Sequence, residues 1–175
     1  MKVVIAYDGG EAGDRALAAI SNWASTTQPE IHLITILLPG EIHETSYGHN
    51  VHALTPAGTA SGPIITVNEP LPAIAENRSQ AVTGTLAEAE ERLHDVAAKH
   101  LNGLNVQVHA DINDHVAEAI IQTAEKFHAD LIAVGTHGRT GLNHALMGSV
   151  AERVIRQSPI PVLVVGPHVA GVQGG

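Results

Sequence analysis

The chain of 175 residues is long enough for one α/β domain, and its 44% of apolar residues can supply a core. Nine basic against 18 acidic residues give a net charge of −9, and aromatic residues make up only 2%, which argues against nucleic acid and anionic membrane surfaces as partners. The absence of cysteine from this sequence excludes disulfides, iron–sulfur clusters, thiolate-bound zinc and thiol catalysis.

Apolar periodicity alternates between two patterns along the chain. Short continuous apolar runs are typical of strands covered on both faces, and apolar residues that recur every three or four positions are typical of helices. In chain order the predicted elements are strand 2–7, helix 11–24, strand 31–38, helix 85–101, strand 105–110, helix 116–127, strand 130–134, helix 149–156 and strand 161–165. This alternation predicts an α/β fold with a single open, mostly parallel five-stranded sheet and helices on both faces.

Residues 39 to about 80 show neither pattern. They include five of the nine prolines and four glycines, a composition that favours irregular structure. We interpret them as a surface excursion, with a lid or a partner-binding arm as the alternative. The predicted organisation is one domain over residues 1–165 with an irregular insertion at about 39–80, followed by a flexible tail over 166–175.

No export or membrane signal is evident in the sequence. The first apolar run ends at Asp8, far too early for the core of a signal peptide, and no run reaches the roughly 18 apolar residues that a spanning helix needs. We therefore expect a cytoplasmic protein without a membrane partner.

The junction after the fourth predicted strand carries the strongest chemical signal. In open parallel sheets, ligands bind at the carboxyl ends of the strands. Gly135 and Gly138 would let a ligand approach the main chain, and nine residues further on Gly148 and Ser149 precede an apolar helix. Free N–H groups at a helix start, with the helix dipole behind them and Arg139 nearby, predict a polyphosphate site.

The pattern G-x2-G-x9-G-[ST] formed by these residues resembles the ATP-binding signature of the universal stress protein family. The opening VVIAYDGGE and the closing SPIPVLVV resemble that family's first strand and its last helix-to-strand junction. The resemblance covers residues 1–38 and 85–165, and it implies a Rossmann-like fold of the adenine nucleotide alpha hydrolase type. It also implies a regulatory, stress-response protein that binds ATP, with Mg²⁺ as an optional companion, and hydrolyses it slowly or not at all.

The resemblance implies a role for individual residues. Asp8 would meet the adenosine moiety, and the main chain around Ile36 would meet the adenine edge. Gly10 stands where the family usually has serine, so the first helix would lack a side-chain cap, a modest loss. Ribose and phosphates would be lined by the strand-end loop and the helix start, through Gly135, Gly138, Arg139, Gly148, Ser149 and Val150.

Other chemistries find weaker support. The segment from Tyr7 to Gly10 distantly resembles the loop of ATP pyrophosphatases, so a small adenylating or ATP-hydrolysing enzyme is the alternative function, although both serines of that loop are missing. No G-x4-G-K-[ST] sequence is present, which excludes a P-loop hydrolase. Asp111 and Asp114 are interpreted as helix caps or solvated carboxylates, and no catalytic residue is assigned.

Histidine is frequent, with 12 residues in the chain. His43, His49 and His52 fall within the predicted insertion and are candidate metal ligands, although solvated loop histidines are the more common case. The histidines further along, among them His100 and His109, are interpreted as surface residues of helices and strand ends.

The last predicted strand, residues 161–165, indicates a homodimer. It is short, apolar and last in the chain, which would place it at a sheet edge. An apolar edge with unpaired N–H and C=O groups needs a cover. Antiparallel pairing with the same strand of a second copy about a two-fold axis would provide it, and universal stress proteins commonly dimerise in this way. Cover by the insertion is the alternative.

Overall fold

The structure, a computed structural model, describes residues 1–42, 71–135 and 147–166. Its strands are β1 (Lys2–Ala6), β2 (Glu30–Leu37), β3 (Asn105–Ile112), β4 (Leu131–Gly135) and β5 (Val162–Val165). Its helices are α1 (Glu11–Thr27), α2 (Leu71–His100), α3 (Val116–Lys126) and α4 (Ser149–Gln157), with a short 3-10 helix at Pro39–Glu41. Within these ranges, no helix combines the length and the apolar character needed to cross a membrane.

The five strands form one sheet in the order β3-β2-β1-β4-β5, and all four pairings are parallel. This confirms the predicted fold class and the predicted place of the last strand at a sheet edge. The order also shows where the chain changes direction across the sheet. From β1 it builds outward through β2 to β3, and then it returns to the other side of β1 with β4.

Both faces of the sheet are covered, as the continuous apolar strands predict. On one face Leu33 of β2 packs in a buried cluster with Leu17 of α1 and Leu93 of α2. On the other face Ile34 packs with Ile120 of α3 and further residues of α3 and α4. Burying one side chain of this size contributes about 1.5–3 kcal/mol, so these two clusters hold the layers together.

Helix α2 is longer than the sequence predicts. It begins at Leu71 rather than at residue 85, so residues 71–80 of the predicted insertion are helical, and the 3-10 helix occupies residues 39–41. The helix surface is largely exposed over residues 78–84, and apolar periodicity gives no signal where little is buried. Pro72 stands in the first turn, where a helix tolerates proline. Residues 43–70 and the tail from residue 167 lie outside the described residues.

Three rings stack where β2, β3 and the end of α3 meet. The ring centroids of His32 and Phe127 are 4.2 Å apart, and those of His109 and Phe127 are 4.6 Å apart. His109 is half-buried in this stack, so its interpretation as a surface residue is wrong. The alternation of side chains along β3 directs His109 toward Phe127. Phe127 lies at the end of a helix, and the sequence alone does not show that this helix end packs against β3.

The two imidazoles of the stack share one proton. His32 Nδ1 lies 3.1 Å from His109 Nε2, so only one of the two nitrogens can donate. With His109 as the donor, the other nitrogen of His32 carries hydrogen toward Glu30 Oε1, 3.3 Å away. Burial lowers the pKa of both imidazoles, although the Glu30 carboxylate opposes this effect at His32. The pair is therefore uncharged near neutral pH.

Candidate functional site

Three of the predicted site residues meet where the strand order reverses. The end of β1 pairs with Ile34 of β2 on one side and with Val134 of β4 on the other. Asp8 lies two residues beyond the end of β1, and Ile36 lies two residues beyond Ile34. Gly135 is the last residue of β4. These residues share the carboxyl edge of the sheet and flank the crevice between β1 and β4, the usual ligand position in an open α/β sheet.

The turn from β1 into α1 holds the carboxylate of Asp8. The backbone N–H of Gly10 donates a 3.0 Å hydrogen bond to Asp8 Oδ1. Gly9 has a φ of +79°, a backbone conformation that side chains disfavour, and so glycine suits this turn. Gly10 is the N-cap of α1 and, without a side chain, makes no cap hydrogen bond of its own, as its replacement of serine predicts.

The start of α4 supplies backbone donors at the same edge, because α4 connects the parallel strands β4 and β5 and so runs back from their carboxyl ends. Gly148 is the N-cap, and among the described residues no side chain bonds to it as a cap. Ser149 and Val150 form the first turn and are exposed, with 38% of Val150 accessible. The first N–H groups of a helix have no partner within it and favour an anion. Glu152 also lies in this turn, and its carboxylate is paired with Arg156 at 2.9 Å.

The remaining predicted site residues cannot be related to this geometry. Gly138 and Arg139 lie outside the described residues, and so do the candidate metal ligands His43, His49 and His52. Their assignments stay predictions. In the described ranges, no group of three or more His, Asp or Glu residues is arranged to hold a metal ion.

A polar cluster next to Asp8 was not predicted from the sequence. Tyr7 Oη donates a 2.6 Å hydrogen bond to Asp14 Oδ1 in α1. Lys99 Nζ and His100 Nε2, at the end of α2, each lie 3.8 Å from an oxygen of Asp14. Burial raises the pKa of Tyr7 far above its usual range, and the hydrogen bond and charge of Asp14 and the charge of Asp8 raise it further. The phenol therefore stays protonated and remains a donor.

Gly13 packs directly against this cluster. A Cβ atom at this position would lie 2.9 Å from Asp8 Oδ1 and 2.9 Å from two ring carbons of Tyr7, closer than real side chains come. Glycine thus lets α1 approach the end of β1. A signal was present in the sequence, because a glycine inside a helix costs about 1 kcal/mol relative to alanine and often marks close packing.

Comparisons with known proteins identify the family of this chain. The family model described as the universal stress protein family matches residues 52–166, more than half of the chain. The chain belongs to the universal stress protein family. It is 28% identical to the stress response protein NhaX of Bacillus subtilis over 178 aligned residues, which cover 94% of this chain and 96% of NhaX. It is 40% identical to the universal stress protein MJ0531 of Methanocaldococcus jannaschii over 92 residues, 52% of this chain and about half, 54%, of that relative.

Solved universal stress proteins share the fold. The structure of MJ0577 from M. jannaschii superposes with a TM-score of 0.67 at 23% identity and covers 94% of both chains. A universal stress protein in complex with cAMP superposes with a TM-score of 0.52 at 19% identity, over 95% of this chain and 96% of that one. One from Archaeoglobus fulgidus in complex with dAMP gives 0.51 at 18% identity, over 94% and 96%. At these identities the likeness establishes the fold.

Proposed function

We propose that this universal stress protein binds ATP in the crevice between β1 and β4 and acts as a regulatory, stress-response module that hydrolyses the nucleotide slowly or not at all. One observation carries the proposal. The reversal of strand order brings Asp8, Ile36 and Gly135 to the edge at which helix α4 begins, with Gly148 as an N-cap that has no side chain. A carboxylate, a half-buried strand end and a helix N-terminus then flank one crevice.

The chemistry of each side suits one part of the nucleotide. The carboxylate of Asp8 can accept hydrogen bonds from ribose hydroxyls, and the main chain at Ile36 offers donors and acceptors to the edge of a base. The first turn of α4 suits phosphate oxygens, with Gly138 and Arg139 as the proposed partners from the strand-end loop. Mg²⁺ is proposed only as a companion of the triphosphate, since proteins hold it through one or two carboxylates together with phosphates.

Two structural relatives support an adenine nucleotide as the ligand class, since one was solved with cAMP and another with dAMP. The proposal of a triphosphate, rather than a monophosphate, is based on the sequence of this chain. Its signature spaces two glycine-containing segments nine residues apart and places Arg139 between them, which provides anion-binding groups for more than one phosphate.

Mass spectrometry of the freshly purified protein, under native conditions and after denaturation, tests the proposal. We expect intact ATP to co-purify, and we expect calorimetry to show tighter binding of ATP than of GTP or AMP. Failure to bind any adenine nucleotide would contradict the proposed site. Accumulation of AMP together with a turnover-dependent product would instead favour the alternative, a small adenylating enzyme.

We also propose that the protein is a homodimer through β5. This strand lies at the edge of the sheet, and 39% of Leu163 is exposed there. On one side of the strand a groove of about 500 Å³ is lined by Trp23 of α1 and by residues of β4 and β5. On the other side a groove of about 480 Å³ is lined by Ile155 of α4 and by the segment leading into β5. Within the part of the chain that the structure describes, no strand pairs with the outer edge of β5, and grooves with apolar lining residues flank it on both sides.

A second copy of the chain fits this surface. An edge strand offers a row of N–H and C=O groups, and the same strand of a second copy offers the complementary row in antiparallel pairing about a two-fold axis. Such pairing would join two five-stranded sheets into one of ten strands. The apolar side chains of both grooves would be buried at the same time.

A further inference from the structure

We infer that Tyr7, Gly13 and Asp14 are positioning residues that fix the carboxylate of Asp8 for nucleotide binding. We call these three residues the α1 clamp. The inference rests on the proposed function, because it concerns the carboxylate assigned to adenosine. It adds residues that do not themselves touch the nucleotide.

Steric contact is the first part of the clamp. Asp8 Oδ1 already accepts the N–H of Gly10 at 3.0 Å, which fixes one rotamer of the carboxylate. The Cα of Gly13 closes the space beside the same oxygen, since an added Cβ would come within 2.9 Å of it. The carboxylate thus lies between the turn and the first turns of α1. Any side chain at position 13 would have to displace it or displace the Tyr7 ring.

Hydrogen bonding is the second part of the clamp. The 2.6 Å bond from Tyr7 Oη to Asp14 Oδ1 ties the residue before Asp8 to the residue after Gly13. The segment after β1 and helix α1 are therefore joined by a hydrogen bond next to the contact at Gly13. Without this bond, the ring that faces Gly13 could rotate away and the steric contact would loosen.

Helix α2 supports the clamp from outside. Lys99 Nζ and His100 Nε2 both lie 3.8 Å from the carboxylate of Asp14. His100 Nε2 is buried and has no hydrogen-bond partner among the described residues, and Asp14 Oδ1 lies just beyond hydrogen-bond distance from it. Asp14 is thereby held between the end of β1 and the end of α2.

The matched pair Gly13→Ala and Gly84→Ala tests the clamp. Both glycines lie inside helices, so both changes bring the same gain in helix propensity. No described atom lies within 4 Å of a Cβ built at Gly84, whereas one at Gly13 meets Asp8 and Tyr7. By calorimetry we expect Gly13→Ala to weaken the binding of ATP and of adenosine by about tenfold, the loss typical of one hydrogen bond to a charged group. Gly84→Ala should bind both like the wild type.

Binding of inorganic tripolyphosphate distinguishes a displaced Asp8 carboxylate from distortion of the whole binding site. It lacks the adenosine moiety, so we expect its affinity to be the same for Gly13→Ala, Gly84→Ala and the wild type. Tyr7→Phe provides a second variant without added bulk, and it should weaken adenosine by about threefold while leaving tripolyphosphate unchanged. This variant decides the matter if Gly13→Ala does not fold.

Three results would overturn the inference. Equal ATP affinity for Gly13→Ala and Gly84→Ala would show that the contact at Gly13 does not matter. A parallel loss of tripolyphosphate binding would show distortion of the whole site. If Gly13→Ala does not fold, wild-type adenosine affinity in Tyr7→Phe overturns it. A wild type that binds no adenine nucleotide would remove the proposed function together with the clamp, so the wild-type titration distinguishes the two failures.

Discussion

The two halves of the sheet differ in the contacts that their side chains and strand edges make within the described part of the chain. In the half formed by β1, β2 and β3, side chains link neighbouring elements, through Tyr7 with Asp14 and through the stacked rings of His32, His109 and Phe127. Among the described residues, the half formed by β4, α4 and β5 has a helix start without a side-chain cap and an apolar strand at the sheet edge. We call the half formed by β1, β2 and β3 the closed half. We call the half formed by β4, α4 and β5 the open half.

The two edge strands show this difference most directly. Strand β3 has eight residues, and its exposed positions are the polar Asn105, Gln107 and Asp111. Strand β5 has four apolar residues with grooves on both of its sides. Polar side chains along an edge discourage pairing with another chain, whereas apolar ones invite it. We therefore expect substitutions in the open half to change binding partners, and substitutions in the closed half to change stability.

The largest expected effect is on the dimer. Leu163→Lys would bury an unpaired ammonium group in each copy at the β5 interface, and we expect the dimer dissociation constant to rise by about a thousandfold or more. Leu163 suits this test better than Val164, because Val164 also packs against the core. Sedimentation at micromolar concentration should show monomers, and Gln107→Lys on the β3 edge should leave the dimer intact. A monomeric wild type, or a dimer that tolerates lysine, would contradict the proposed interface.

The next largest effect concerns the helix start in the open half. Gly148→Val should weaken ATP binding by about a hundredfold, because a β-branched side chain would obstruct the approach of phosphates to the main chain. The melting temperature should change little, because the residue is not part of either buried cluster. Calorimetry is the measurement, with Gly84→Val in α2 as a control. Near-wild-type affinity in a folded Gly148→Val protein would place the phosphates elsewhere.

A smaller effect on ligand affinity is expected from substitutions on the two sides of the crevice. Arg139→Ala should weaken ATP by about tenfold and adenosine hardly at all, since a guanidinium acts on phosphate. Asp8→Ala should weaken adenosine as much as ATP, because its carboxylate is assigned to the nucleoside. Titration of both ligands against both variants gives the four affinities. Equal losses of ATP and adenosine in Arg139→Ala would remove that residue from the phosphate site.

The smallest effect is a pH dependence in the closed half. Burial lowers the pKa of His32 and His109 in the folded protein, so the unfolded chain takes up protons first as the pH falls below about 6.5. The stability that these groups contribute is complete above that pH and is lost as the pH falls through their folded values. We expect the wild type to lose more stability between pH 7 and pH 5 than the double variant His32→Val and His109→Val.

Urea unfolding at several pH values measures this difference. Glu30 and Lys2 face His32, and Glu90 and Lys126 act on His109, so all four groups must be kept in both proteins. Parallel stability curves for the wild type and the double variant would show that the imidazole pair does not control the acid sensitivity.

The sequence predicts four of the five strands well because each shows a continuous apolar run. Strand β3 is predicted instead by its alternation of polar and apolar residues. The sequence also predicts that Asp8, Ile36 and Gly135 lie at the carboxyl edge of the sheet, since each stands at or near the end of a predicted strand. The start of α2 escapes prediction because residues 78–84 of this helix are largely exposed, and a helix that buries little there shows no apolar period. The hydrogen bond between Tyr7 and Asp14 is not predicted either. It joins two different elements, so neither the strand period nor the helix period of the sequence indicates it.

The strand order also affects how the domain folds while it is being synthesised. Strand β1 comes first in the chain and lies at the centre, yet the bond between Lys2 and Asp130 that accompanies its pairing with β4 spans 128 residues. Parallel pairing over such a separation is slow, because the loop must close before its contacts form. While the ribosome makes the intervening residues, one edge of β1 has no strand beside it, and its N–H and C=O groups are accessible to other nascent chains. We therefore expect this domain to depend on chaperones that hold the N-terminal part until β4 has emerged.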